Sequence, residues 1–268
     1  MSTLGFHKYE GIGNDFVLVD GESATTVDPE GARRLCDRHF GVGADGVLLV
    51  VPPTSDRAAA RMIIFNADGS RAEMCGNGLR CVALHLTRSR GEARAEFTVD
   101  TDAGPRECDV DRDGDAAHVL IGLGAGTVVG DHAADFDGNA VDFLRVSMGN
   151  PHAVTFGARY TEAEIDRFSP QLSASFPEGS NVEFANVTDS HTIELVVWER
   201  GVGRTLACGT GAAATVVAAA VTDRVPFDEE VEVKLPGGPL RITVQRAGLT
   251  VKLRGPARRV FSGEVAGW

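Results

Sequence analysis

Two copies of one short pattern constrain this chain more than anything else in it. Cys75-Gly76-Asn77-Gly78 leads into the helix-like apolar run Leu79 to Leu86, and Cys208-Gly209-Thr210-Gly211 leads into the uncharged run Ala212 to Ala220. The two cysteines are 133 residues apart in a chain of 268. Other landmarks keep nearly the same offset. Trp198 follows Phe65 by 133, Glu199 takes the place of Asn66, and Gly149-Asn150 follows Gly13-Asn14 by 136. Three landmarks in one order point to a duplicated unit with a pseudo-twofold axis.

Each half strings short strands around one such helix. Phe6 to Tyr9 and Phe16 to Asp20 flank a glycine-rich turn, and Asp28-Pro29-Glu30 carries the cap, first-turn proline and acidic residue of a helix start. Later strands are expected near Ala95 to Thr101, Arg106 to Asp111 and Ala116 to Gly122. In the second half they are expected near Val141 to Met148, Asn181 to Val187, Thr192 to Trp198, Val231 to Leu235, Leu240 to Gln245 and Leu249 to Leu253. Thr161 and Glu164 fit a capping box. Gly41-Val42-Gly43-Ala44-Asp45-Gly46 has the spacing of a dinucleotide fingerprint, but an apolar strand follows it where that motif needs a helix.

A helix uncharged on every face must be buried all round, which requires a sheet curled about it. The expected fold is therefore α+β, with two pseudosymmetric domains, each a mixed, mostly antiparallel, barrel-like sheet around a central helix. The active site would lie in the cleft between them. The glycine-rich stretch Gly122 to Gly126 reads as the linker, giving a first domain of 1–126 and a second of 127–255.

The balance of 26 basic against 38 acidic residues, with the basic ones scattered, disfavours nucleic acid as a partner. No apolar run reaches bilayer length and the start lacks a signal-peptide core, so a cytoplasmic protein without membrane partners is expected. Five cysteines, Cys36, Cys75, Cys81, Cys108 and Cys208, suit neither a disulfide scaffold nor the close Cys/His spacing of a zinc site. Cys36, Cys81 and Cys108 read as packing residues; His7, His39, His85, His118, His132 and His191 read as surface or satisfied histidines.

A thiol at a helix N-terminus meets backbone N–H groups and the positive end of the dipole, so its pKa is expected to fall. The N–H groups of Gly76, Asn77, Gly209 and Thr210 could hold a carboxylate, leaving one sulfur on each side of its α-carbon. One thiolate would remove the α-proton and the opposite thiol would deliver one, inverting the stereocentre. That chemistry requires neither metal nor pyridoxal lysine, and no cofactor is expected. Asn14, Asn66, Asn150, Asn181, Glu199 and Arg200 supply polar contacts suited to a small amino-acid substrate with polar groups at both ends.

Over nearly its whole length the chain resembles the diaminopimelate epimerase family. The matching segments are Lys8 to Phe16, Cys36-Asp37-Arg38 with Gly41 to Gly46, Phe65 to Ser70, Met74 to Gly78, Gly149 to His152, and Trp198 to Gly203 with Ala207 to Gly211. The resemblance implies a cofactor-independent isomerase that interconverts LL- and meso-diaminopimelate for lysine and peptidoglycan biosynthesis. It makes Cys75 and Cys208 the catalytic bases and assigns proton-handling support to His152 and Glu199. Substrate contacts fall to Asn14, Asn66, Gly76, Asn77, Asn150, Asn181, Glu199, Arg200, Gly209 and Thr210. It further implies a C-terminal strand, about 256–268, returning to the first domain, and a homodimer. Arg204 and Ala213 depart from the family pattern, where an acidic residue and a further cysteine are common. Three other functions compete: a reversible redox disulfide between Cys75 and Cys208, a non-catalytic amino-acid binder, and a proline or hydroxyproline racemase on the same fold. Asn66 with Arg200 argues against the last, because a small cyclic substrate has no distant charged groups.

Overall fold

The computed structural model describes residues 3–157 and 160–268. The chain forms two compact units, Met1–Ile121 with Gly255–Trp268, and Gly122–Arg254. In the first unit the strands Thr3–Gly11 and Asn14–Asp20 form an antiparallel hairpin, and helix α1 (Pro29–Cys36) carries the chain over to Gly46–Val51, parallel to Asn14–Asp20. Ala58–Asn66 returns antiparallel, and helix α2 (Gly76–Ser89) then crosses to Arg94–Asp100, parallel to Ala58–Asn66. Arg106–Asp113 and Ala116–Ala125 complete the meander. The C-terminal strand Thr250–Ala266 pairs with both Thr3–Gly11 and Ala116–Ala125, closing this sheet on itself.

The second unit repeats that order. Asn139–Ser147 and Pro151–Phe156 form the antiparallel hairpin, and helix α3 (Glu162–Ala174) leads to the parallel strand Asn181–Asp189. Thr192–Glu199 returns antiparallel, helix α4 (Gly209–Val221) leads to the parallel strand Glu230–Leu235, and Gly238–Val244 and the start of Thr250–Ala266 follow antiparallel. The helices keep the offset of the sequence repeat. Pro29 and Glu162, which open α1 and α3, and Gly76 and Gly209, which open α2 and α4, are each 133 residues apart. The fold is thus the expected α+β architecture of two repeated, sheet-dominated units.

Local chemistry sets the helix starts. Asp28 caps α1 by accepting from the Gly31 N–H at 2.7 Å, with Pro29 at the first helical position. Thr161 and Glu164 form the reciprocal box at α3, at 3.3 and 2.7 Å. Helix α2 is buried continuously from Gly76 to Thr87, and in α4 every residue from Gly211 to Ala220 is buried. Alanine and valine dominate α4, which lets sheet side chains approach its backbone closely; Leu79, Val82 and Leu84 fill the equivalent space around α2.

The first unit gives way to the second between Ile121 and Gly122, at the start of the glycine-rich stretch, and strand Ala116–Ala125 continues there through Gly122 and Gly124, because Ala117, Val119, Ile121 and Leu123 keep the same buried alternation. Thr127–Phe136 is a strand that sequence reading missed, since most of its residues are exposed or half-buried and it shows no apolar face. His152 lies within strand Pro151–Phe156, rather than in the turn before it.

Cys36, Cys81 and Cys108 are buried in the first unit, and burial raises all three thiols, Cys36 to about 11 and Cys108 to about 12. In the unfolded chain such thiols ionise near about 8.5. Between those values the unfolded state binds fewer protons than the folded one, so stability falls as pH rises. Urea midpoints are expected to drop between neutral pH and pH of about 10, and Cys36→Ala to flatten part of that alkaline slope.

Candidate active site

Each repeated helix is capped by its own cysteine. Cys75 has extended backbone angles of φ −141° and ψ 117°, and its Sγ accepts from the Gly78 N–H at 3.4 Å. Cys208 repeats this at φ −123° and ψ 104°, with Sγ accepting from the Gly211 N–H at 3.3 Å. The third helical residue is glycine in both, and a side chain of the neighbouring strand packs close against it. A Cβ on Gly78 would stand 2.8 Å from Leu48 Cδ2, and one on Gly211 would stand 2.9 Å from Glu183 Oε1. Leu48 and Glu183 therefore occupy the same place in the two units.

In the first unit Asn14 organises the helix end. Its Oδ1 accepts from Asn77 Nδ2 at 3.0 Å and lies 3.9 Å from Cys75 Sγ, while its Nδ2 donates to Asp45 Oδ2 at 2.8 Å. Asp45 is in turn held by Arg38 at 2.8 Å. Asn66 ends strand Ala58–Asn66, exposed, with Nδ2 on Ser70 Oγ at 2.9 Å. Gly76 and Asn77 are buried at the helix start. Arg80, one turn further along α2, is wholly buried; its Nε donates to the Pro256 carbonyl at 3.1 Å, and among the described residues its Nη1 and Nη2 meet no hydrogen-bond partner.

The second unit holds a longer chain of contacts. Glu183 Oε1 lies 2.6 Å from His152 Nδ1, both side chains being fully buried, and His152 Nε2 lies 3.0 Å from Asn150 Oδ1. Asn150 Nδ2 donates to Thr210 Oγ1 at 3.4 Å, and Thr210 Oγ1 lies 3.7 Å from Cys208 Sγ. With Thr210 accepting from Asn150, its O–H is free to donate to sulfur, or its second lone pair to accept from the thiol. Asn181 accepts from the Arg200 N–H at 3.0 Å and donates to the Pro151 carbonyl at 3.0 Å. Glu199 accepts from Thr205 Oγ1 at 2.5 Å, and the Arg200 guanidinium bonds the Glu178 carbonyl. Arg204, the departure from the family pattern, pairs with Glu162 at 3.0 Å and Asp166 at 2.8 Å on α3.

The first unit thus gathers Asn14, Gly76, Asn77 and Cys75 at one helix end. The second gathers Asn150, His152, Gly209, Thr210 and Cys208 at the other, with Asn181 beside Arg200 and Glu199 beside Thr205. Sequence reading missed Glu183 and Arg80. The signal for Glu183 was available: it is an acid two residues after Asn181, set among the apolar Val182, Phe184 and Ala185.

For Cys208 the expected lowering of the thiol pKa does not occur. A helix terminus contributes about 0.3–1 kcal/mol, whereas burying a charge costs several kcal/mol. Burial pushes Cys208 well up, the carboxylates of Glu199 and Glu183 push it further, and the Thr210 hydroxyl and Gly211 N–H oppose them only in part. Glu183 is itself raised by burial, with His152 pulling the other way.

Solved structures share this architecture. A hydroxyproline epimerase from Agrobacterium vitis superimposes with a TM-score of 0.77 at 16% identity, covering 99% of this chain and 91% of its own. A phenazine biosynthesis protein of the PhzF family from Bacillus anthracis gives 0.73 at 17%, covering 99% of each. At sequence level the family model for diaminopimelate epimerase matches residues 6–129 and 144–260. The diaminopimelate epimerase of Desulforudis audaxviator is 42% identical over 97% of this chain and 99% of its own, and diaminopimelate epimerase 1 of Nostoc is 39% identical over 98% and 99%. The fold and the matched relatives define an isomerase of the epimerase class. Within that class, the chain belongs to the diaminopimelate epimerase family.

Iodoacetamide should alkylate Cys208 slowly at neutral pH and faster as pH rises. Thr210→Val, which removes a donor to the thiolate, is expected to move that rise to higher pH, as read by peptide mass spectrometry.

Proposed function

We propose that this protein epimerises diaminopimelate, interconverting the LL and meso forms, with Cys75 and Cys208 as a cofactor-independent pair of bases. The observation that carries the proposal is the repeated helix start capped by a thiol, in a chain of this family. In the LL-to-meso direction the α C–H bond breaks as its proton passes to one thiolate, and the opposite thiol gives its proton to the other face of the carbanion. The substrate carboxylate is assigned to the N–H groups of Gly76, Asn77, Gly209 and Thr210, which would stabilise charge as it develops. Asn14, Asn66, Asn150, Asn181, Glu199 and Arg200 are assigned to the remaining polar groups, with His152 and Glu199 supporting proton handling. The proposal extends to a cytoplasmic homodimer serving lysine and peptidoglycan biosynthesis.

The surroundings of the two sulfurs differ. Cys208 is buried beside two carboxylates, and burial keeps it protonated. Cys75 lies on the helix that carries the buried Arg80, and its Sγ meets Asn14 Oδ1 at 3.9 Å.

Incubation with LL-diaminopimelate in deuterium oxide is expected to give α-deuterated substrate and meso product. Turnover of proline instead, with neither of those signals, would overturn the assignment. Cys75→Ala and Cys208→Ala should each lower kcat by about 10²–10⁴-fold, the range supplied by positioned acids and bases, with the fold intact by circular dichroism. Thr210→Val should cost about 10–100-fold in kcat, the value of a hydrogen bond to a charged group, and Thr210→Ser should restore most of it.

A further inference from the structure

A second cluster of titratable groups lies in the first unit, away from the cysteine. His7 on strand Thr3–Gly11, Asp20 at the end of strand Asn14–Asp20 and His85 on α2 each present one donor atom, and these atoms all lie within 4.8 Å of one another. His85 and Asp20 are in direct contact, Nε2 to Oδ2 at 3.0 Å, and the His7 and His85 rings are 5.0 Å apart between centroids. Among the described residues no other group of three such side chains converges in this way.

We infer that His7, Asp20 and His85 form a binding site for a late first-row divalent cation such as Zn²⁺, with two imidazoles, one carboxylate and an open position for water. A tetrahedral zinc with bonds of about 2.0–2.1 Å has donors about 3.4 Å apart, so closure needs only modest rotation of His7 and Asp20. Both residues can rotate: Asp20 is exposed and His7 half-buried, while His85, the anchor, is 5% exposed. The donor set, with two nitrogens in three ligands, excludes magnesium and calcium, which take all-oxygen sites.

The surrounding hydrogen bonds suit ligation. Tyr9 Oη lies 3.1 Å from His85 Nδ1, which orients the ring so that Nε2 faces Asp20, and Ser262 Oγ lies 2.5 Å from His7 Nδ1. Arg88 and Arg259 are the nearby cations, and both face Asp115, at 2.9 and 3.5 Å, which offsets their repulsion of a metal ion.

The cation would tie the first hairpin to α2 ten residues along the helix from Cys75, about 15 Å away. Its expected effect is on stability rather than on the reaction. Tag-free protein stripped with a chelator is to be titrated with Zn²⁺ by calorimetry, and with Co²⁺ by visible absorption. One equivalent is expected to bind with a rise in Tm, and Co²⁺ to show the d–d bands of a low-symmetry nitrogen and oxygen site without a thiolate charge-transfer band. The same binding should survive in the Cys75→Ser/Cys208→Ser protein and be lost in His7→Ser and Asp20→Asn, which alter accessible residues and leave the core intact. Binding that persists undiminished in both ligand variants, that disappears with the two thiols, or that is absent from the wild type would overturn the site.

Discussion

Everything at the two helix starts depends on one hydrogen bond made twice, from the N–H of the third helical residue to the sulfur of the capping cysteine. A thiol is a weak acceptor, so it satisfies an orphan donor without the strong preference that serine or aspartate would bring. The bond also aims sulfur along the helix axis, past the first two N–H groups. A strand side chain packs close beneath each helix start, and a Cβ at the third position would make Leu48 or Glu183 shift. The glycine, the cap and the close strand form a single constraint, and duplication has preserved all three.

What duplication did not preserve is the charge around each sulfur. Leu48 lies beneath Gly78 where Glu183 lies beneath Gly211. Phe16, paired with Gly46 in the first unit, corresponds to His152, paired with Asn181 in the second. Asn66 and Glu199 end equivalent strands, and Arg80 on α2 corresponds by the 133-residue offset to Ala213 on α4. One unit therefore places a buried cation on the helix of its thiol, and the other places two carboxylates near its own. The symmetric frame thus holds different charged surroundings at its two sulfurs.

The repeat was legible because it rests on glycines and cysteines whose identity is dictated by backbone geometry. Helix α4 was legible because the nine uncharged residues Ala212 to Ala220 call for a buried helix, and Asp28 and Thr161 announced α1 and α3 through capping chemistry. Strand Thr127–Phe136 was not legible, since its pairing with Asn139–Ser147 is made by backbone groups that leave no apolar stripe in the sequence. The meeting of His7 with His85 was equally hidden, because 78 residues of chain separate two groups that the first hairpin and α2 bring together. The low thiol pKa expected for Cys208 failed for a related reason: local sequence shows the helix end and conceals the depth of burial.

The Glu183–His152 dyad is costly on its own terms. Two ionisable groups with no solvent exposure contribute little to stability, and an apolar pair of similar size, such as the Phe16 and Leu48 that stand in the other unit, fills the same space without desolvation. Its consequence is directional instead. Asn150 Oδ1 faces His152 Nε2, so Nε2 is the donor in that contact and Nδ2 of the same amide is left for Thr210. The Thr210 hydroxyl in turn lies within reach of sulfur. The buried dyad thus positions, through two neutral side chains, the hydroxyl that meets Cys208. Its hydrogen bond to sulfur opposes the burial and the two carboxylates that raise the thiol, and it strengthens when sulfur is charged. The thiol can therefore give up its proton in one direction of the reaction and recover it in the other.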